Sequence, residues 1–249
     1  MDALDGGVHV YRLDLAAGSD EAFRQAWALL DGEERGRAAR IRHEPTKQSF
    51  VSVRAALRVL LGRYLRQAPE AICFALGDKG KPRLAGTEPD QGLVFNVSHS
   101  GDCGLIAIAC DTSLGVDVER SRAMPHMDGM AERCFAPDEL AWWQGLPPAR
   151  QEQAFFAFWC CKEAFVKATG EGIGLGLESC AVDLSGQPPR LRSIPPRCGR
   201  AEDWRLAELD AGPGHRAALC YRGAERPLRV MDMAAGPFVT VALNIQDSA

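Results

Sequence analysis

Two acidic residues stand two positions apart in the segment LGVDVE, residues 114–119. The alternation with apolar residues predicts a β-strand, in which Asp117 and Glu119 project from one face and the valines from the other. Two like charges on one strand face repel each other, so a compensating cation is expected. Mg²⁺ takes oxygen ligands and commonly binds one or two carboxylates together with substrate phosphates and water. A strand face exposed to water gives the same pattern, so this segment alone leaves both interpretations open.

A glutamate and a lysine lie one helical turn apart in the segment AFFAFWCCKEAFVKATG, residues 154–170. At about 100° per residue, Glu163 and Lys167 fall on one helix face among aromatic side chains. A helix that is apolar on nearly all sides is normally buried, and a charge within it needs a partner. An ordinary i,i+4 pair would satisfy both groups. The alternative is that Glu163 completes the acidic set of the strand, while Lys167 faces a phosphate.

The segment FNVSHSG, residues 95–101, offers hydroxyls and an imidazole. Neighbouring residues of a strand point to opposite faces, so Ser98 and His99 are poorly placed to act as a nucleophile and its base. We favour a histidine that contacts a ligand at a strand end, with a structural histidine as the alternative. The glycines of GEGIGLGLES, residues 170–179, follow a helix rather than a strand, which excludes a dinucleotide fingerprint and indicates a loop beside the site.

Periodicity places these motifs on a mixture of helices and strands. Strands are predicted at residues 8–15, across 93–119, and at 179–184, 205–209, 217–221 and 238–243. Helices are predicted at 19–30, over the apolar positions of 50–65, at 130–144 and at 149–168, where Gly170 ends the helix. Residues 77–92 hold four glycines and two prolines and are expected to form a loop. A helix followed by several strands occurs in each half of the chain.

Charge is distributed unevenly along the 249 residues. The net charge is −4, but residues 33–66 carry nine basic and three acidic side chains, a local charge of +6. The helix predicted there has Arg54, Arg58 and Arg66 on or beside its polar side. This face could meet a phosphate or an acidic partner, or it could simply be solvated. The negative total argues against a general nucleic-acid binder.

Composition is that of a water-soluble globular protein, with 46% hydrophobic and 25% charged residues. No run of about 18 apolar residues predicts a membrane span, and acids stand near the start where a secretory leader would be basic. The nine cysteines are odd in number and form no C-x-x-C pair, so we expect a reducing, cytoplasmic location. The adjacent Cys160 and Cys161 are expected to be buried as small apolar residues rather than to perform thiol chemistry.

Five motifs stand together in an order and spacing that resemble the larger, Sfp-type class of 4′-phosphopantetheinyl transferases. They are GKP (80–82), FNVSHSG (95–101), LGVDVE (114–119), RCFAPDEL (133–140) and FWCCKEAFVKATGEGIGL (158–175). The resemblance covers residues 35 to 185. It implies a monomer of two similar α+β lobes, a pseudo-dimeric fold with the active site between the lobes, which we place at residues 1–115 and 116–249. It also implies transfer of phosphopantetheine from coenzyme A to a serine of an acyl or peptidyl carrier protein, with adenosine 3′,5′-bisphosphate released.

The resemblance assigns the acidic set and its lysine. Asp117, Glu119 and Glu163 match the family's magnesium ligands, and Glu163 is also the candidate base for the incoming serine. Lys167 matches the lysine that contacts the phosphates of coenzyme A. The catalytic pair is therefore expected to be Glu163 and Lys167, with Mg²⁺ as cofactor.

The resemblance also assigns residues that bind coenzyme A. Lys81 and Pro82 match the adenine-side loop, and Ser98 and His99 match a phosphate-binding strand end. Arg37 lies where the family places a basic contact to the 3′-phosphate, whereas Glu34 stands at a position that is often basic. A basic flank would also attract carrier proteins, which are generally acidic.

Two other classes of function remain as alternatives. A non-catalytic module that binds coenzyme A or a carrier protein would keep Lys81, His99 and the basic segment without needing three carboxylates. A nucleic-acid binder would use the basic segment, but that segment lacks interleaved aromatic residues. We therefore expect an enzyme that has no nucleic-acid partner and no membrane association.

Overall fold

Two sets of helices and strands follow each other along the chain with the same order of elements. They are seen in a computed structural model that describes residues 4–16, 18–88 and 91–233. The first set comprises β1 (Val8–Asp14), α1 (Asp20–Leu29), α2 (Gly32–Ala39), α3 (Glu44–Leu65), β2 (Phe74–Leu76), β3 (Pro82–Leu84), β4 (Leu93–Ser100) and β5 (Cys103–Cys110). The second comprises β6 (Leu114–Arg120), α4 (Met127–Cys134), α5 (Pro137–Gln144), α6 (Pro148–Thr169), β7 (Ala181–Asp183), β8 (Arg190–Ser193), β9 (Trp204–Leu209) and β10 (His215–Arg222). A last described strand, β11 (Leu228–Met233), follows.

The two sets form two sheets of matching order. In the first, β5 pairs antiparallel with both β1 and β4; in the second, β10 pairs antiparallel with both β6 and β9. The hairpins β2–β3 and β7–β8 hold the same place in the two element orders. The chain is thus α+β with two similar lobes, as predicted. β11 then pairs in parallel with β1, so the chain returns to the first sheet. The boundary at residue 115 stays a prediction.

Three apolar clusters give the molecule four layers, with helices outside and the two sheets between them. α3 packs on the first sheet through residues that include Leu57 and Ile106. α6 packs on the second sheet, where the ring of Phe165 stands edge-on to Trp204 at 5.1 Å between centroids. The third cluster lies between the sheets and includes Val8, Val10, Leu105, Ala107, Val116, Val118 and Leu219. Val116 and Val118 of β6 face this third cluster. Because strand residues alternate between faces, Asp117 and Glu119 must face the other way, toward α6.

The helices α3 and α6 are the centres of the two lobes, and each has 22 residues. α6 ends at Gly170, whose φ of 73° is a left-handed conformation that glycine adopts without strain, as the sequence predicts. α1 begins after Ser19, whose hydroxyl accepts a hydrogen bond from the Ala22 amide at 3.1 Å. Neither α3, α6 nor any other helix of the described ranges is long and apolar enough to cross a membrane.

The edges of the two sheets meet along a seam, which we define as β4 and β6. The side chains of Asn96, Ser98 and Ser100 on β4 accept hydrogen bonds from alternate backbone amides of β6. The amides are those of Val116 (2.8 Å), Val118 (3.3 Å) and Arg120 (3.1 Å). An edge strand otherwise leaves such amides without protein partners, so the polar residues of FNVSHS complete the edge of the second sheet.

The basic segment is partly internal, which corrects its interpretation as one exposed face. Arg58 on α3 is fully buried, and its guanidinium contacts Glu34 at 2.7 Å and Asp31 at 2.5 Å. Arg54 also pairs with Glu34, at 2.5 Å. These two arginines therefore join α3 to α2 and are neutralised there. Arg66 is exposed at the end of α3, as predicted.

Other predicted elements hold or fail for local reasons. The strands predicted at 8–15, 93–119, 179–184, 205–209 and 217–221 and the helices at 19–30 and 149–168 are confirmed within a few residues. The helix predicted at 50–65 is confirmed at its end but begins earlier, at Glu44. The strand predicted at 238–243 lies outside the described residues. The single helix at 130–144 is wrong, because Pro137 has no amide hydrogen and begins a second helix. The loop at 77–92 contains β3, which pairs with β2. α2 went unpredicted, although Asp31 and Glu34 form a capping box that marks its start.

Candidate active site

A glycine lets α6 approach β6 closely enough for their side chains to meet. A Cβ atom at Gly115 would lie 2.1 Å from the Ala164 carbonyl oxygen and 2.4 Å from the Ala168 amide nitrogen. Only a residue without a side chain fits there. Gly115 and Asp117 share one face of β6, so the close contact brings α6, with Glu163 and Lys167, over Asp117.

The centre of the site is an ion pair between the strand and the helix. The Nζ of Lys167 donates to Oδ1 of Asp117 at 2.7 Å, to the hydroxyl of Ser98 at 3.0 Å and to the carbonyl of Val116 at 3.3 Å. Asp117 is 4% exposed, and Ser98 donates to the same Oδ1 at 2.9 Å. Lys167 thus pairs with Asp117 and not with Glu163, so the ordinary i,i+4 pair is absent from this part of the described structure.

The other two carboxylates lie in the same electrostatic environment. Burial, and then the charge of Asp117, raises the pKa of Glu163 above its usual value, and Glu119 adds to the rise. Burial also raises the pKa of Glu119, although the hydroxyl of Ser100, which donates to Oε2 at 2.8 Å, opposes the rise. After burial, the charge of Asp117 raises the pKa of both glutamates, which indicates a concentration of negative charge that a cation would relieve.

A cleft of about 300 Å³ borders this centre and reaches the first lobe. It is lined by Lys79, Gly80, Lys81, Pro82, Asn96, Val97, Glu163, Val166, Lys167, Gly170 and Gly172. Next to it, a pocket of about 270 Å³ is formed by the β2–β3 hairpin, Phe95 and residues 169–171. The ammonium of Lys81 donates to the carbonyls of Leu114 and Ala168 at 3.0 Å each, which fastens the hairpin to the second lobe.

His99 lies on the opposite face of β4 from Ser98, as the alternation predicts. The side chain of His99 keeps a large solvent-accessible surface. The protein atoms around the imidazole nevertheless exclude enough water to lower its pKa. The positive charge of Lys167 lowers this pKa further. A neutral imidazole near an ammonium can donate or accept a hydrogen bond without adding a fixed charge.

A divalent cation fits the donor set of the site. Oδ2 of Asp117 is buried and has no hydrogen-bond partner, although a buried carboxylate oxygen normally has one. Carboxylate oxygens are the ligands that Mg²⁺ prefers. Within the described ranges, however, no three histidine, cysteine or acidic side chains are already gathered as a metal site. The ammonium of Lys167 balances part of the negative charge of this acidic set through its contact with Asp117.

Comparison with known proteins places this arrangement in a family. A model described as the 4′-phosphopantetheinyl transferase superfamily matches residues 113–220, and one described as 4′-phosphopantetheinyl transferase, N-terminal, matches residues 17–111. The 4′-phosphopantetheinyl transferase HetI of Nostoc sp. is 32% identical over 224 residues, which cover 90% of this chain and 91% of that protein. The chain belongs to the 4′-phosphopantetheinyl transferase superfamily.

Two further relatives of the transferase support this membership. The 4′-phosphopantetheinyl transferase of Bacillus subtilis is 30% identical over 215 residues, covering 86% of this chain and 90% of that protein. The 4′-phosphopantetheinyl transferase psf-1 of Bacillus pumilus is 33% identical over 190 residues, covering 76% of this chain and 78% of that protein. The predicted family is therefore confirmed, and the chain is an enzyme of this class.

The transferase brings most of its predicted site residues together. Lys81, Pro82, Glu163 and Lys167 line one cleft, and Asp117 bonds to Lys167. Arg37 is different, because it lies exposed on α2 with its guanidinium over the ring of Phe50 and lines neither cavity. Glu34 pairs with Arg54 and Arg58 and lines neither of the two cavities. The ligand-binding roles of all these residues stay predictions.

One residue of the transferase that the sequence analysis did not single out is Lys162. It is fully buried on α6, and its ammonium contacts Glu139 at 2.7 Å and the carbonyls of Leu177, at 3.0 Å, and Cys180. Leu177 belongs to the glycine segment 170–179 and Cys180 directly follows it, so Lys162 anchors the end of that segment to α6. The signal was present, since a lysine in an apolar helix needs a partner.

No cysteine is among the residues that line the two cavities described above. All nine are free thiols, and Cys160 and Cys161 are both 1% exposed, which confirms that they are buried. Burial, and then the charge of Asp117, raises the pKa of Cys160 well above its usual value. A thiol held protonated is a poor nucleophile.

Proposed function

We propose that this transferase moves the 4′-phosphopantetheine group of coenzyme A onto a serine hydroxyl of an acyl or peptidyl carrier protein, and that adenosine 3′,5′-bisphosphate leaves. The observation that carries the proposal is the position of Glu163 and Lys167, which share one cleft with Lys81 and Pro82 of the other lobe. The site then lies between the lobes, where one face can hold a cofactor and the other a protein substrate.

Basic and donor groups around the cleft suit a pyrophosphate. Lys167 is held over the acidic set and is 28% exposed, so it can reach a phosphate by exchanging one of its present contacts. His99 can add a hydrogen bond at the end of β4. Lys81 and Pro82 would border the adenine, whereas the phosphate contacts of Ser98 and Arg37 rest on family resemblance alone, since neither side chain lines the two cavities. Phosphoryl transfer depends mainly on such positioning and charge neutralisation.

Asp117, Glu119 and Glu163 would hold Mg²⁺, and the unpartnered Oδ2 of Asp117 supports this assignment. When bound there, Mg²⁺ would neutralise charge on the non-bridging oxygens of the pyrophosphate. The protein's part is to hold the carboxylates in the seam, with Ser98 and Ser100 as their hydrogen-bond donors.

Glu163 is the base that we assign to the reaction. It is half-buried, and burial together with Asp117 raises its pKa, which makes its carboxylate a better proton acceptor. The carrier serine gives its hydroxyl proton to Glu163 while its oxygen bonds to the phosphorus that carries pantetheine. The bond from that phosphorus to the bridging oxygen breaks, and the electron pair leaves with adenosine 3′,5′-bisphosphate.

The exposed remainder of the basic segment is the surface that we assign to the carrier protein. Arg37, Arg40 and Arg42 are exposed, in contrast to Arg54 and Arg58. A basic surface increases the association rate of an acidic partner and makes that rate depend on salt. We further propose that the transferase acts as a monomer, since both walls of the cleft come from one chain, and in the cytoplasm, since its nine cysteines are free thiols.

A direct assay tests the proposal. The protein is incubated with coenzyme A, Mg²⁺ and a panel of apo carrier proteins, and each carrier is examined by mass spectrometry for the phosphopantetheine increment. We expect the increment on at least one carrier, and none on that carrier with its acceptor serine changed to alanine. The Glu163→Gln variant should bind coenzyme A and modify the carrier far more slowly. Binding of coenzyme A without any modification would instead support the non-catalytic module.

A further inference from the structure

We propose that Ser98 and Ser100 are positioning residues that orient the carboxylates of Asp117 and Glu119 and tie them to the junction of the two lobes. The proposal rests on the proposed function, because the carboxylates matter as ligands of its metal. It gives Ser98 a different role from the phosphate contact that family resemblance implies.

The hydrogen bonds of Ser98 already use its whole bonding capacity. A hydroxyl has one proton and two acceptor lone pairs. The amide of Val118 and the ammonium of Lys167 are both donors, at 3.3 Å and 3.0 Å, and they occupy the lone pairs. The proton must then go to Oδ1 of Asp117, 2.9 Å away. Because Ser98 is also 8% exposed, no bonding capacity is left for a phosphate.

Ser100 repeats this arrangement two residues along the same strand. Its hydroxyl accepts from the amide of Arg120 at 3.1 Å and donates to Oε2 of Glu119 at 2.8 Å. β4 and β6 both have a repeat of two residues, so the seam offers one serine to each acidic residue of LGVDVE. The same hydroxyls that complete the sheet edge therefore select the direction in which each carboxylate points.

The orientation of Asp117 shows what this achieves. Ser98 and Lys167 hold one carboxylate oxygen, and Oδ2 remains buried without a partner. A carboxylate without the serine could rotate about its last torsion, which has a broad, two-fold profile. Residues that hold metal ligands in place typically change metal affinity 10- to 100-fold when they are removed.

The seam contains its own control. Asn96 makes the third contact of the series, accepting from the amide of Val116 at 2.8 Å through Oδ1. No acidic side chain is among the hydrogen-bond partners of its side chain in the described structure. Removing Asn96 should therefore weaken the junction of the lobes without releasing a carboxylate. Asn96 also lines the cleft, so its KM for coenzyme A can change, and only its Mn²⁺ affinity at saturating coenzyme A serves as the control.

The experiment compares Ser98→Ala, Ser100→Ala, Ser100→Thr and Asn96→Ala with the wild type. Mn²⁺ is the probe, and its binding to each full-length protein in saturating coenzyme A is followed by electron paramagnetic resonance of the free ion. The KM for coenzyme A and the urea midpoint are measured beside it. We expect Mn²⁺ to bind about 10-fold or more weakly to the two serine-to-alanine variants, Ser98→Ala and Ser100→Ala. Ser100→Thr should restore binding, and Asn96→Ala should lower the urea midpoint with Mn²⁺ affinity within about 2-fold of wild type.

Each other outcome has a definite meaning. Wild-type Mn²⁺ affinity in Ser98→Ala with a raised KM for coenzyme A would show that Ser98 contacts phosphate, and the positioning role would be wrong. Equal losses of Mn²⁺ affinity in all three alanine variants would make the seam a general structural junction. A wild-type protein that modifies no carrier and binds no Mn²⁺ would overturn the proposed function itself, whereas a wild type that modifies carriers leaves only the serine roles to be decided.

Discussion

The ammonium of Lys167 on α6 lies 2.7 Å from Oδ1 of Asp117 on β6, at the point where the second sheet meets the first. This contact joins the strand that carries two of the acids to the helix that carries the third. Asp117 is almost completely buried, so its charge is stabilised by Lys167 and by Ser98 rather than by water. A pyrophosphate entering the cleft would offer Lys167 a second anion.

Asp117→Asn should reduce transfer at least about 100-fold while the protein stays folded. Asparagine keeps an oxygen that accepts from Ser98 and Lys167, but it removes the negative charge that a cation needs. The rate is measured by mass spectrometry of the carrier, and the fold by circular dichroism and thermal unfolding. Asp210→Asn is the control, because the Asp210 side chain is 89% exposed. A wild-type rate in Asp117→Asn would contradict the assigned site.

Arg58→Met should lower the free energy of unfolding by about 3–5 kcal/mol, because it leaves Glu34 without one of its two cationic partners in a buried place. Arg42→Met, on the exposed part of the same basic segment, should change it by less than about 0.5 kcal/mol. Both values are obtained from urea denaturation. Equal losses of unfolding free energy in the two variants would contradict the burial of Arg58. Only Arg42→Met should raise the KM for an acidic carrier at low salt.

Gly115→Ala should strongly destabilise the protein or prevent folding, because the added Cβ would overlap the backbone of α6. Gly36→Ala is the matched substitution, since a Cβ there meets nothing within 4 Å in the middle of α2. It should stabilise the protein by about 0.5–1 kcal/mol. Thermal and urea unfolding should show a loss of stability in Gly115→Ala and a gain of stability in Gly36→Ala, each relative to the wild type. Tolerance of alanine at residue 115 would contradict the close packing of α6 on β6.

The thiols should react with Ellman's reagent in a pattern set by burial. Cys73 is the exposed cysteine and should react rapidly, whereas six of the nine are buried. Burial raises the pKa of Cys103 and of Cys180 to about 11, so these thiols stay protonated at neutral pH. Cys73→Ser should remove the fast phase, and urea should expose every remaining thiol. A fast reaction at Cys160 or Cys161 would contradict their burial.

Much of the site follows from local patterns in the chain. Strand alternation places Asp117 and Glu119 on one face of β6. It also places Ser98 and His99 on opposite faces of β4. Helical spacing places Glu163 and Lys167 on one face of α6. These inferences depend on neighbours within a few residues, whose geometry the backbone repeat determines. The motif spacing was enough to identify the family. Helix ends were predicted well where a cap residue marks them, as at Ser19 and Gly170.

The remaining features depend on contacts between residues far apart in the chain. Arg58 can be internal because Glu34 on α2 and Asp31, which caps α2, neutralise its charge. The periodicity of α3 alone cannot predict these two partners, since they belong to another part of the chain. Ser98 and Asp117 are 19 residues apart, and only the meeting of two sheet edges makes the serine a donor to the acid. The residue types and their local faces are thus properties of the sequence, whereas the partners of buried charges are decided by tertiary packing, because a polar group removed from water must bond to whatever the fold places beside it.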